Sequence, residues 1–301
     1  MTTGHSPPTR LKPRIASSMG KAAILMEALP YIRRFSGTVV VVKYGGSAMD
    51  DPNFARSFAR DVALLSQVGI KMVVVHGGGP QITAAMKREG IAPTWVDGLR
   101  VTNSRTMELV RRVLGGEVNG EITRLLETSG AHAVGLSGVD AGLFRCRRLD
   151  DRLGRVGDLV EVNPALIEFL ADGGMTPVVA PLGLGLDGEV YNLNADTVAG
   201  ALAAGLGAQK LVFLTNVEGV YRNPADASTL ISRMTLPELV MMVDRFRGGM
   251  LPKLRAVVEA MKGGVSQAHI LDGRIQHALL LEMFTPEGIG TMVIHHEGEE
   301  Q

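Results

Sequence analysis

Two short runs of β-branched and aliphatic residues each stop abruptly at a glycine cluster. Thr38–Lys43 leads into Tyr44-Gly45-Gly46-Ser47, and Lys71–Val75 leads into His76-Gly77-Gly78-Gly79-Pro80. After each cluster, a pattern of apolar residues spaced three and four apart predicts a helix, from Asp51 to about Val68 and then to about Arg88. A strand that ends in glycine, turns into a helix and is followed by another such unit requires a parallel sheet with helices on both faces. Glycine clusters placed after strands mean that the backbone approaches something closely or adopts positive φ. Of 301 residues 37 are glycine, against an average of about 7%, and the excess sits in these clusters.

Farther along, Asn103–Ser129 reads as a long helix interrupted at Gly115-Gly116. Leu143–Leu149 and Arg155–Val162 read as a hairpin outside the main sheet, and Asp187-Gly188 marks a second hairpin turn. Ala133–Leu136, Thr176–Ala180, Lys210–Thr215, His269–Leu271 and Gly290–Ile294 supply further strands. Helices are expected at Pro164–Ala171 with Asn163 as its cap, Asn194–Leu206, Leu236–Asp244 and Met250–Met261. The fold class expected is a three-layer αβα sandwich around a mainly parallel sheet. Residues 1–19, rich in Pro, Thr, Ser and basic residues, read as a disordered leader, with a targeting role as the alternative. Residues 20–36 form a helix that Pro30 should kink or end. A soft boundary near residue 185 separates 37–185 from 186–301, with one sheet continuing through both.

Lys and Arg number 31, as do Asp and Glu, so no net field collects phosphate backbones, and generic nucleic-acid binding is disfavoured. No apolar run reaches membrane-span length. The lone Cys146 cannot form an internal disulfide, which fits a reducing cytoplasm. Arg145, Arg147 and Arg148 beside it would lower its pKa, yet its place in a hairpin argues against catalysis. The seven histidines show no metal-ligand spacing; His76 reads as structural.

The glycine turn after Lys43 exposes backbone N–H groups to an anion, with the lysine adding charge at the same mouth. It lacks both the G-x-x-x-x-G-K-[ST] and the G-x-G-x-x-G spacing, and a tight turn beside an exposed lysine is the alternative. Two such loops suggest one anion site at the carboxyl edge of the sheet. Arg100 suits a carboxylate, although a surface arginine is the commoner reading. Asp196 falls in the first turn of its helix, where the dipole favours an acid; Lys253 falls in the first turn of another, where the dipole disfavours a cation, and that conflict points to function.

In order, the segments VVVVKYGGSAM (Val39–Met49), VVVHGGGPQI (Val73–Ile82), GLRVT (Gly98–Thr102), YNLNAD (Tyr191–Asp196), LTNVEGVY (Leu214–Tyr221), GGMLPKL (Gly248–Leu254) and AHILDGR (Ala268–Arg274) resemble the amino acid kinase family. The likeness covers about residues 21–296. It is nearest to the branch that phosphorylates the γ-carboxylate of N-acetyl-L-glutamate with ATP and Mg²⁺ in arginine biosynthesis. The resemblance implies that Lys43 and Lys253 stabilise the transferring phosphoryl group and that Asp196 orients both. Gly45, Gly46 and Gly78 would surround that group, and Gly78, Gly79, Arg100 and Asn192 would hold the acid. Thr215, Asn216, Gly219, Val220 and Tyr221 would line the nucleotide site, with Asn216 standing where Asp is common. No protein metal site is implied.

Leu25–Ile32 reads LMEALPYI, similar to the helix of arginine-inhibited members. In those, such helices interlace three dimers into a hexamer. By that resemblance Tyr31, Glu287, Gly290 and Thr291 would contribute to an arginine site. Whether a nitrogen-signalling regulatory protein binds the hexamer stays open. A related kinase for another acid, such as glutamate or aspartate, and a non-catalytic arginine sensor are the alternatives; retention of Lys43, Asp196 and Lys253 argues against the second.

Overall fold

The computed structural model describes residues 13–49, 51–223, 225–285 and 288–296. Eight strands form the central sheet: β1 (Val39–Tyr44), β2 (Lys71–His76), β3 (Ala133–Ser137), β4 (Thr176–Ala180), β5 (Lys210–Thr215), β6 (Arg233–Thr235), β7 (Gln267–Asp272) and β8 (Thr291–Ile294). Their order is β6-β8-β7-β5-β1-β2-β4-β3, and every neighbouring pair is parallel except β7–β8. One sheet therefore runs through both halves of the chain, as expected.

The pleat sends alternate residues to opposite faces, so a strand covered on both sides must be apolar throughout. In β1, Val40 and Val42 join the core on one face and Val41 the core on the other. All three are fully buried, each stabilising the fold by ~1.5–3 kcal/mol relative to exposure. Helices α2 (Pro52–Gln67), α3 (Gly79–Arg88), α4 (Ser104–Arg112), α5 (Asn119–Thr128) and α10 (Ala278–Phe284) pack on the first face. On the second lie α6 (Ala165–Asp172), α7 (Ala195–Gly205), α8 (Leu236–Met242) and α9 (Met250–Lys262). The result is a three-layer αβα sandwich.

A smaller sheet, Val190–Asn192, Leu182–Gly185, Phe144–Arg148 and Gly157–Val162 in that order, contains both expected hairpins. Within the long helical stretch the interruption at Gly115-Gly116 is a π-helical turn, Val113–Val118, joining α4 to α5. The cap expected from Asn163 is marginal: its Oδ1 stands 3.4 Å from the Ala165 N–H, and Pro164 holds the cap position.

Two expectations at the N-terminus need correction. Helix α1 runs over Pro13–Phe35, so residues 13–19 are helical rather than part of a disordered leader; residues 1–12 lie outside the described residues. Pro30 neither ends nor breaks α1. It sits on an exposed face, where water can satisfy the carbonyl that the missing N–H leaves unbonded. Leu25, Met26 and Ile24 are two-thirds exposed on this helix. Among the described residues no helix is long and apolar enough to cross a membrane.

Candidate active site

Because β1 lies between β2 and β5, successive connections leave it in opposite directions, and a crevice opens at its carboxyl end. The two glycine loops meet there. The Gly77 N–H donates to Tyr44 O at 2.8 Å. A Cβ on Gly77 would lie 3.8 Å from Gly45 Cα, and one on Gly45 would touch Lys43 Nζ at 3.0 Å. Gly46 has φ of +71°, open to glycine at little cost. Gly78 has a different reason for its identity: a Cβ there would strike Leu114 Cδ2 at 2.3 Å.

Asp196 stands across this crevice. Its helix α7 is capped by Asn194, whose Oδ1 accepts from the N–H groups of Asp196 and Thr197 at 2.9 and 3.1 Å. Lys43 Nζ lies 3.0 Å from Asp196 Oδ1, and Lys253 Nζ lies 3.1 Å from both carboxylate oxygens. Two lysines distant in sequence thus converge on one carboxylate. Burial would push the Asp196 carboxyl up, but the two ammonium groups outweigh it and hold it below its usual range. Burial lowers Lys253 to about 8; Asp196 opposes that fall, and Lys43 adds to it. The Lys253 ammonium also sits 4.8 Å from the ring centre of Phe213.

Beside the lysines, Gly77–Gly79, Arg100, Leu114 and Asn192 line a cavity of about 210 Å³. Arg100 is buried, not a surface residue. Its guanidinium donates to Gly79 O at 3.1 Å and Thr83 Oγ1 at 2.7 Å, and it lies 4.4 Å from the centre of the Trp95 ring. Burial lowers its pKa. Among the described residues no carboxylate pairs with it, so its charge faces a cavity without a counter-ion.

A larger cavity, about 660 Å³, opens on the β5 side and takes in Gly219, Tyr221, Arg222, Arg245, Phe246 and Arg247. Of the expected nucleotide residues, Gly219 and Tyr221 line it. Val220 is fully buried and its N–H donates to Thr291 Oγ1 at 2.8 Å. Thr215 Oγ1 points to Asn216 Oδ1 at 3.4 Å. The three arginines were not expected. A charged run such as Asp244–Arg247 reads as a solvated surface, and only the fold turns it toward a cavity.

Of the residues expected around arginine, Tyr31 lies in a narrow cleft of about 10 Å³ with Phe35, Lys210, His269 and Glu282. His269 Nδ1 and Glu282 Oε1 are 2.6 Å apart, and Glu282 Oε2 accepts from the Ile289 N–H at 3.0 Å. Lys210 is lowered to about 8 by burial and by Arg34, against Glu282. These three buried polar residues were also missed; single polar residues within a strand (Lys210, His269) or a short helix (Glu282) carry no spacing signal. Thr291 is elsewhere, its hydroxyl donating to Ile231 O at 2.6 Å. Gly290 packs so closely that a Cβ would meet Ile270 O at 2.2 Å. Glu287 lies outside the described residues. Cys146 is buried and its thiol pushed up to about 11 by burial, Asp187 and Asp158, the reverse of what its arginine neighbours suggested.

The sequence model of the amino acid kinase family matches residues 38–272. The chain belongs to the amino acid kinase family. Within that family it is 48% identical to the acetylglutamate kinase of Frankia casuarinae, across 98% of this chain and 83% of that one. It is 49% identical to the acetylglutamate kinase of Caldanaerobacter subterraneus, across 94% and 96%. Among solved structures it is similar to N-acetylglutamate synthase from Neisseria gonorrhoeae complexed with coenzyme A and N-acetyl-glutamate, with a TM-score of 0.81 and 29% identity. That likeness covers 91% of this chain but 63% of the synthase chain. Carbamate kinase from Giardia lamblia bound to AMP-PNP shares the fold at a TM-score of 0.61 and 18% identity, over 86% of this chain and 99% of that one.

Proposed function

We propose that this chain transfers the γ-phosphoryl group of ATP to the γ-carboxylate of N-acetyl-L-glutamate, giving N-acetyl-L-glutamyl 5-phosphate in arginine biosynthesis. The observation that carries the reading is the pair of ammonium groups on Asp196, set where the two glycine loops touch; Ala195, next to Asp196, lines the smaller cavity and Met250, in the same helical turn as Lys253, lines the larger. A carboxylate is already nucleophilic, so the reaction needs no general base. Its obstacle is repulsion between two anions, which positioning and fixed positive charge remove. The carboxylate oxygen forms a bond to phosphorus as the bond to the β-phosphate oxygen breaks, and ADP leaves with that electron pair.

In this reading Lys43 and Lys253 neutralise the transferring group, and Asp196 orients both. Gly45, Gly46 and Gly78 offer N–H groups to the phosphoryl oxygens. Arg100 takes the α-carboxylate, which supplies its absent counter-ion, and Asn192 and Gly79 hold the rest of the acid. The nucleotide occupies the larger cavity beside Gly219 and Tyr221, near Thr215, Asn216 and Val220, with Arg222, Arg245 and Arg247 facing its phosphates. Mg²⁺ would be held by those phosphates, since the described residues contain no cluster of three metal-ligating side chains. When bound, it neutralises phosphate charge.

Arginine inhibition and a hexameric trimer of dimers belong to the same reading, in a cytoplasmic enzyme. The exposed apolar residues of α1 support its use as an arm between subunits. The cleft at Tyr31 combines a carboxylate, a lysine and a histidine, yet at about 10 Å³ it cannot take arginine unless α1 and α10 separate. Inhibitor binding is thereby coupled to the position of the arm. The deciding assay is ADP release by the purified protein with ATP and either N-acetylglutamate, glutamate or aspartate. Release with N-acetylglutamate alone is expected. Release that favours another acid would replace the substrate, and no release with any acid would end the kinase reading.

A further inference from the structure

His76, at the end of β2, is completely buried and touches none of the groups assigned above to the substrates. Its Nδ1 lies 2.7 Å from Gly77 O, and its Nε2 lies 3.2 Å from Asn119 Nδ2. A carbonyl oxygen only accepts, so Nδ1 carries the proton and Nε2 accepts from the Asn119 amide; one neutral tautomer satisfies both contacts. Burial agrees, lowering the imidazole to about 4.

Asn119 is itself fixed. Its Nδ2 has two hydrogens and three acceptors in reach: one goes to Val178 O at 2.8 Å, and the other is shared between Leu136 O at 3.1 Å and His76 Nε2, which ties it to β4 and β3. Gly135 makes room for it, because a Cβ there would lie 2.2 Å from Asn119 Oδ1. The π-helical turn Val113–Val118 ends immediately before Asn119, and such insertions recur at functional sites.

The peptide that His76 grips is the one joining Gly77 to Gly78. In a planar trans peptide the C=O and the following N–H point in opposite directions. Holding Gly77 O against the imidazole therefore turns the Gly78 N–H the other way. The Gly77 N–H is held by Tyr44 O, so the loop is fixed on both sides of Gly77. Glycine alone would leave this plane free to rotate. We infer that His76, oriented by Asn119, is a positioning residue that sets the Gly77–Gly78 peptide plane so that the Gly78 N–H meets the phosphoryl group in the transition state. This rests on the role given to Gly78 under Proposed function.

Asparagine places an amide nitrogen where histidine has Nδ1, whereas glutamine reaches only as far as Nε2. His76→Gln should lower kcat by ~10–100-fold, the scale of a misplaced catalytic donor, with KM for N-acetylglutamate nearly unchanged. His76→Asn should recover most of the loss. In calorimetry His76→Gln should bind ADP like the wild type but bind ADP with aluminium fluoride and N-acetylglutamate more weakly, by a factor that follows kcat. A merely structural role would not separate these two affinities. A folded His76→Gln variant with wild-type kcat, or a folded His76→Asn variant as impaired as His76→Gln, overturns the inference. Should His76→Gln not fold, Asn119→Ser takes its place: the same selective loss of kcat is expected, and an unchanged kcat overturns it. The wild type is assayed first. Failure there to release ADP with N-acetylglutamate sinks the reading of the reaction, whereas normal wild-type turnover with unaffected variants sinks this inference alone.

Discussion

Replacing Asp196 by Asn keeps the shape of the carboxylate and removes the charge that two ammonium groups share. Each ion pair spans 3.0–3.1 Å, worth roughly 5 kcal/mol of attraction at an effective dielectric of about 20. Breaking a buried pair from one side costs ~3–5 kcal/mol after desolvation is counted. The variant has an escape. Lys253 is already lowered to about 8 with Asp196 opposing the fall, so once Asp196 is gone shedding its proton at pH 7 costs less than the ~1.4 kcal/mol of the wild type. Asp196→Asn should therefore fold with a stability loss of ~1–3 kcal/mol while losing the second positive charge from the site. Losing one such charge raises the barrier by ~3–4 kcal/mol, and kcat should fall by ~10²–10³-fold. The pH dependence distinguishes this cause from general damage. In the wild type kcat/KM, which reports the free enzyme, should decline above about pH 8 as Lys253 deprotonates. Asp196 holds that pKa up, so in the variant the decline moves to lower pH and activity recovers partly in acid. Steady-state ADP release from pH 5.5 to 9 and thermal melts give both quantities. A variant with the wild-type pH limb and kcat within about threefold would refute the reasoning.

Three further outcomes follow from other residues. Arg100→Gln removes the unpaired guanidinium and should raise KM for N-acetylglutamate by ~10–100-fold, the worth of a charge-assisted bond pair, while kcat changes less; initial-rate kinetics decide it. Gly78→Ala drives a methyl to 2.3 Å from Leu114 Cδ2, whereas a methyl on Gly79 meets nothing within 4 Å, so the first should cost ~1–3 kcal/mol in melting experiments and the second almost nothing. L-arginine at millimolar concentration should inhibit the wild type and inhibit Tyr31→Ala less; equal inhibition of both would remove the cleft under α1 from the regulation.

The layered fold was readable because it depends on local chemistry. The unbroken apolar run Val39–Val42 and glycine after the first two strands specify a buried parallel sheet whatever the rest of the chain does. Asn194 as a cap and Asp187-Gly188 as a turn are equally local, and both stand where expected. The first-turn position of Lys253 in α9 was also legible, as a conflict with the helix dipole. Its meeting with Lys43 on Asp196 was not, since no spacing encodes a contact between residues so far apart; resemblance alone supplied it. Arg245, Arg247, Lys210, His269 and Glu282 escaped for the opposite reason. Their significance is created entirely by what the sheet places opposite them. Pro30 lies inside α1 and does not end it, on an exposed face where water can reach the carbonyl left without an N–H partner.

One carboxylate serving two distant lysines also ties turnover to complete folding. A chain whose C-terminal third is misplaced keeps Lys43 and the glycine loops but lacks the second ammonium and, with it, the cavity lined by Gly219, Tyr221 and Arg245 that is proposed for the nucleotide. Both halves of the proposed reaction therefore depend on the same C-terminal segment, so a partly folded copy is inert toward either substrate rather than half-active.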